Sequence, residues 1–257
     1  MRPTQIAAAV ALALAALLDR GARACSCFGP RPALVSPGPD HPAPVTSRVR
    51  ALVPIHRAAG ATVVLRPPGG APVAVATASR SMGGVDLVEL TPSAPLAPDT
   101  RYEIALHSPG QYPSTFVFGT FRTGATRDVK APRIDAIGVA GAHANPGAMS
   151  SMCQSADTVV TLDGISVSDP DRDGAEIALG VWIADAAGRV DTKKLPVYWA
   201  VPKNGHVQLG RTSICDPREL PLPNAPAVTL GVAAIDESGN TSPVKLVRVA
   251  LPPARHP

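Results

Sequence analysis

Aromatic side chains are scarce in this chain: four Phe, three Tyr and two Trp make 4% of 257 residues. A stacking platform for sugars or bases would have to use Trp182, Tyr198 or Trp199, and core packing is the better use of the two indoles. Charge is scarce as well, at 17%, far from the composition of a coiled coil or a disordered chain. Windows for long helices are few, because 29 prolines and 22 glycines, about a fifth of the chain, interrupt the sequence. That share stays below the roughly 25–30% of low-complexity sequence. After residue 18 no apolar run reaches the roughly 20 residues that a bilayer-crossing helix needs. Enzyme signatures are missing too. The six histidines (His41, His56, His107, His143, His206 and His256) show no HExxH or H-x-H spacing. No GxSxG, P-loop or GxGxxG stretch occurs. No catalytic residues and no cofactor are assigned.

What the chain has is apolar material, 45% of residues, arranged in short runs between Gly/Pro turns. It opens with Arg2, an uncharged apolar run over residues 6–18 and a small-x-small pattern at Ala22-Arg23-Ala24. That is a signal peptide over residues 1–24, cleaved between Ala24 and Cys25. Cys25 at the first mature position keeps a lipid anchor open beside free secretion, although Ala22 and Arg23 depart from the usual lipid-attachment pattern. Loss of Arg2, Arg20, Arg23 and Asp19 lowers the formal charge from +4 to +2. This is no nucleic-acid footprint. The 24 basic residues are mostly Arg, as in GC-rich bacterial genomes.

Residues 25–44 read as a Pro-rich tail. From residue 45 the pattern becomes that of strands. Val45, Ser47, Val49, Ala51, Val53 and Ile55 alternate with their neighbours, and Tyr102, Ile104 and Leu106 share one face. Further runs lie near residues 61–65, 73–77, 85–90 and 115–121. Residues 125–132 form a polar, proline-bounded linker. Beyond it strands are expected near 134–139, 158–167 (broken by Gly164), 175–184, 195–201, 205–212, 227–235 and 244–251. Such spacing indicates β-sandwiches. The fold class is therefore all-β: two tandem Ig-like sandwich domains after a cleaved signal peptide, at residues 45–124 and 133–252.

Three segments carry a family resemblance in the first domain: Val88-Glu89-Leu90-Thr91-Pro92, Leu96-Ala97-Pro98-Asp99-Thr100-Arg101-Tyr102 and Phe118-Gly119-Thr120-Phe121-Arg122-Thr123. It resembles the bacterial Ig-like domains of surface-layer proteins. There a Leu-x-Pro-x-Thr-x-Tyr turn precedes the penultimate strand and a Phe-x-Thr element closes the domain. The second domain, through Ile235-Asp236-Glu237-Ser238-Gly239-Asn240-Thr241-Ser242-Pro243, is similar to fibronectin type III and related Ig-like domains. The resemblance implies a noncatalytic structural, spacer or adhesive module at the cell envelope, whose partner is a surface protein or polysaccharide. A dedicated polysaccharide- or protein-binding module and an enzyme with an unrecognised site are the alternatives.

Four cysteines follow the initiator segment: Cys25, Cys27, Cys153 and Cys215. In an oxidising compartment Cys153–Cys215, at strand ends of one domain, is the simplest disulfide. Asp169, Asp171 and Asp173, followed by Gly174, match the first half of an oxygen-rich calcium loop. The bidentate Glu expected at the twelfth position is Gly180, so an EF-hand is excluded. A solvated acidic turn is favoured over a weak calcium site.

Overall fold

The computed structural model describes residues 30–55, 60–109, 114–138, 141–144, 158–170, 176–211 and 216–253. Among them the regular secondary structure is strand, and no helix is long and apolar enough to cross a membrane.

The first seven strands are β1 (Ala33–Ser36), β2 (Val49–Pro54), β3 (Thr62–Arg66), β4 (Val75–Ser81), β5 (Val85–Pro92), β6 (Arg101–Ser108) and β7 (Ser114–Arg122). They form two antiparallel sheets, in the orders β1-β2-β5-β4 and β3-β6-β7. With strands lettered A to G along the chain, these are the ABED and CFG sheets of an Ig constant-type sandwich. Val49, Ala51 and Val53 from β2, Val88 and Leu90 from β5, and Leu65, Ile104 and Phe121 from the facing sheet fill the space between.

The turn before β6 explains the motif around Tyr102. The Tyr102 hydroxyl accepts a hydrogen bond from the Ala97 amide at 2.9 Å, the tyrosine corner of Ig-like sandwiches. Its ring stacks on Phe121 at 5.6 Å between centroids. Thr123, just past β7, donates through Oγ1 to the Ala97 carbonyl at 2.6 Å and accepts from the Thr100 amide at 3.0 Å. The Leu-x-Pro-x-Thr-x-Tyr turn and the Phe-x-Thr element are two halves of one hydrogen-bonded corner.

The remaining strands are β8 (Arg133–Gly138), β9 (Ala142–Ala144), β10 (Thr158–Ser168), β11 (Ala178–Ile183), β12 (Tyr198–Ala200), β13 (Val207–Leu209), β14 (Ala227–Ile235) and β15 (Lys245–Ala250). One sheet runs β13-β10-β8 with β9 also on β10, and the other runs β12-β11-β14-β15. Gly164 takes a φ of 59° inside β10, where the register to β8 shifts between Asp163 and Ser166. A side chain is strained at that angle, and the glycine allows the long strand to bend. Trp182 and Trp199 are both buried in the core of this unit, as expected from the sequence.

Two features depart from the sequence reading. Strand β1 lies inside the Pro-rich tail. Its four residues sit between Pro32 and Pro37, too short a stretch for alternation to show. The second departure concerns the outer face of the β1-β2-β5-β4 sheet, which is not wet. Met82, Val85 and Leu87 belong to the core cluster of the second unit, with Val35 and Leu52 packed against it. The β4–β5 turn adds backbone bonds, Gly84 N to Pro217 O at 2.7 Å and Glu219 N to Met82 O at 3.1 Å.

Candidate functional site

The chemistry-bearing side chains collect where the two units meet. Because β2 turns Val49, Ala51 and Val53 into the first core, its alternate residue Arg50 points outward, into the joint. There it is only 1% exposed. Its Nε donates to Glu89 Oε2 at 2.7 Å, and its Nη1 donates to the Asp236 carbonyl at 3.0 Å. Its guanidinium carbon lies 4.6 Å from the Trp199 ring centroid, within cation–π range. Arg48 Nη1 donates to the other Glu89 oxygen at 3.3 Å. Burial pushes the Arg50 guanidinium below its ordinary pKa while Glu89 pulls it back.

A second cluster surrounds the corner between β14 and β15. Asp236 accepts from the Asn240 amide and from Asn240 Nδ2, each at 2.9 Å. Asn240 Nδ2 also reaches the backbone and side-chain oxygens of Asp128 at 3.4 Å. Thr46 Oγ1 donates to the Asp128 carbonyl and accepts from the Asp128 amide, both at 3.1 Å. Burial pushes Asp236 up to about 6; the Asn240 hydrogen bond opposes this, and repulsion from Asp128 and Asp169 adds to it. On the same corner, the fully buried Glu237 meets His41 Nε2 at 3.0 Å. Burial and the nearby Glu237 raise the pKa of Glu176.

Carboxylate oxygens of Asp128, Asp169 and Asp236 lie within 4.8 Å of one another. Oxygens so placed suit a hard cation such as Ca²⁺. In this arrangement, though, the Asn240 donors already occupy Asp236 and reach Asp128. The structure thus draws Asp169 toward the linker and the β14–β15 corner. Its sequence companions Asp171 and Asp173 lie outside the described residues, as do Ala24, Cys25, Cys27, Cys153 and Cys215.

Nothing in the sequence singles out Arg50, Glu89, Asp128, His41 and Glu237 as a set. Arg50 fills a polar slot of an alternating strand and Glu89 is a lone carboxylate in its own, so both read as solvated. The available signal was that Leu52, Val85 and Leu87 on the same faces are apolar. Chemically the joint is a set of ties. Among the described residues one hydroxyl–imidazole pair occurs, Thr115 Oγ1 with His107 Nδ1 at 3.2 Å. It is exposed and has no carboxylate orienting the ring, unlike a nucleophile–base–orienter array.

No protein-family model matches the chain, and no curated protein does. Among solved structures it is similar to the tandem Ig repeats of Dlar, at 12% identity over 87% of this chain and 98% of that one, with a TM-score of 0.28. It is also similar to a pullulanase from Anoxybacillus sp., at 10% identity over 78% of this chain, with a TM-score of 0.24. For the maltotriose complex of that pullulanase the figures are 11%, 79% and 0.25. The chain spans 24% of the pullulanase length.

Proposed function

We propose that this is a noncatalytic extracytoplasmic protein that acts as a rigid spacer or adhesive module at the bacterial cell envelope. In this reading residues 1–24 export it, residues 45–124, joined by β1 from the preceding tail, are a bacterial Ig-like domain and residues 133–252 a fibronectin III/Ig-like domain, with residues 125–132 between them. The two antiparallel sheets of the second unit, four strands each around one core, support a sandwich there. One observation carries the spacer role. The units meet through a dry sheet face with a buried Arg50–Glu89 pair and backbone bonds, where a flexible linker would leave a wet gap. Such a joint fixes relative orientation, and fixed orientation is what a spacer requires.

Small-angle scattering of the mature protein, residues 25–257, tests the reading. One rigid shape should fit the whole profile. A profile that needs an ensemble of inter-unit orientations would refute it. The mass of the mature N-terminus, measured on protein recovered from culture medium and from envelopes, distinguishes secretion from lipid anchoring at Cys25. Non-reducing peptide mapping tests the Cys153–Cys215 bridge.

An adhesive contact is favoured by one observation. Phe116 on the edge strand β7 is 57% exposed, beside the exposed Val117. An exposed aromatic on an unpaired edge suits a surface protein or polysaccharide. Phe116→Ser should leave the fold intact and weaken adhesion to envelope polysaccharide or protein; unchanged adhesion would remove this face from consideration.

A further inference from the structure

We propose that the cleft between β1 and the β12–β13 connection binds a small molecule with an apolar body and one carboxylate. The cleft holds about 550 Å³. That lies within the usual range of ligand sites, and the junction of two packed units is where such sites concentrate. Leu34, Val35, Leu52 and Val201 give it an apolar lining. Among the described residues its charged lining is of one sign, Lys203, His206 and Arg218, with no Asp or Glu.

One charged group in that lining awaits a partner. Arg218 is held by Asp216, with Nη2 to Oδ2 at 3.0 Å, and His206 pairs with Asp163. Lys203 is exposed, and among the described residues no carboxylate lies within ion-pair distance of its ammonium. The ring of Trp199 lines the cleft while its Nε1 is sealed from solvent, so the indole reports on a bound ligand without bonding to it. A neutral apolar ligand would leave Lys203 unanswered, and a cation would be repelled. A carboxylate on an apolar body supplies the negative charge and the apolar surface together. An added peptide strand fits less well, because β1 is only four residues long and is closed by Pro32 and Pro37.

The experiment uses the ¹⁵N-labelled mature protein, residues 25–257, with decanoate as probe, kept below its micelle concentration. Decanol and decyltrimethylammonium serve as neutral and cationic controls. The indole N–H resonances are assigned with Trp182→Phe. Decanoate should move the Trp199 resonance saturably and leave that of Trp182 in place. Decanol should bind about tenfold more weakly, the worth of one charge-assisted contact. Lys203→Gln should bring decanoate to the level of decanol. Ala33→Phe, an exposed substitution that fills the cleft, should abolish binding of both. Lack of a saturable shift, equal affinity for decanoate and decanol, tight binding of the cation, or unchanged affinity in either variant would overturn the proposal.

Discussion

Raising the pH from about 4 to about 7 should weaken the fold, and Asp236 sets a defined part of that slope. Asp236 is 1% exposed, and its carboxyl has a folded-state pKa of about 6 against an ordinary 3.8. A group that holds its proton more tightly when folded contributes stability fully below its unfolded pKa. That contribution is lost as pH rises through the folded pKa. The window therefore runs from about 4 to about 6. At 1.36 kcal/mol per unit the ceiling is about 3 kcal/mol, and relaxation around the site brings it nearer 1–2 kcal/mol. Asp236→Asn removes this titration and imitates the neutral acid. It also turns an NH₂ group toward Asn240, losing one of the two bonds that Asn240 makes to the carboxylate, at a cost of about 1 kcal/mol. The two stability curves should accordingly cross. Wild type is the more stable protein near pH 4, and near pH 7.5 the variant equals it or leads by about 1 kcal/mol. Urea unfolding followed by Trp fluorescence at several pH values gives both curves. Glu176, also raised by burial, adds a slope of the same sign to both proteins and drops out of the difference. A difference that is independent of pH, or wild type gaining on the variant as pH rises, would refute the reasoning.

Tyr102→Phe should cost about 1–2 kcal/mol in urea unfolding, because it leaves the Ala97 amide without its acceptor; a loss below a few tenths would mean that the corner is not under tension from that bond. Gly119→Ala would place a methyl 2.6 Å from Leu34 Cβ. The overpacking should cost about 1–3 kcal/mol and loosen β1, visible as faster amide exchange at residues 33–36. Arg50→Ala strands Glu89 in the joint with only Arg48 beside it. A loss of about 3 kcal/mol is expected, with a more variable scattering shape, whereas Arg50→Met with Glu89→Leu should recover most of the stability. Millimolar Ca²⁺ should leave the melting temperature unchanged, since Asn240 already serves the acidic corner. Saturation at about 100 Kd would add about 2.7 kcal/mol, and a rise that vanishes in Asp169→Asn would make the corner a cation site.

Local features of the fold were readable. The last-but-one strand, β14, spans Ala227–Ile235, the bounds its apolar run suggests. Gly164 marks the bend of β10, and the Tyr102 turn behaves as the motif implies. These depend on periodicity, turn residues and contacts a few positions apart. The joint depends on pairs 39 to 196 residues apart, Arg50 with Glu89 and His41 with Glu237 among them. Nothing in the local pattern distinguishes Arg50, buried under Trp199, from an arginine in water. Asp169 likewise looks like the start of a solvated turn until Asp128 and Asp236 are brought beside it.

Strand β5 shows how the joint is written into the sequence. In a sandwich with one wet face its residues would alternate apolar and polar. Instead Val88 and Leu90 enter the first core while Val85 and Leu87 enter the second, so apolar residues fall on both faces, as in a strand covered on both sides, with Asp86 and Glu89 between them. Glu89 is the exception on the second face, and Arg50 on the neighbouring strand answers it across their direct register pairing. Apolar residues there would hold the two units together equally well, because desolvating an ion pair cancels much of its attraction. What apolar contact does not supply is direction. Arg50 reaches the Asp236 carbonyl and the Trp199 ring only when the β14–β15 corner and β12 sit in one place over the sheet. The apolar face brings the two units together, and the buried ion pair selects one orientation between them.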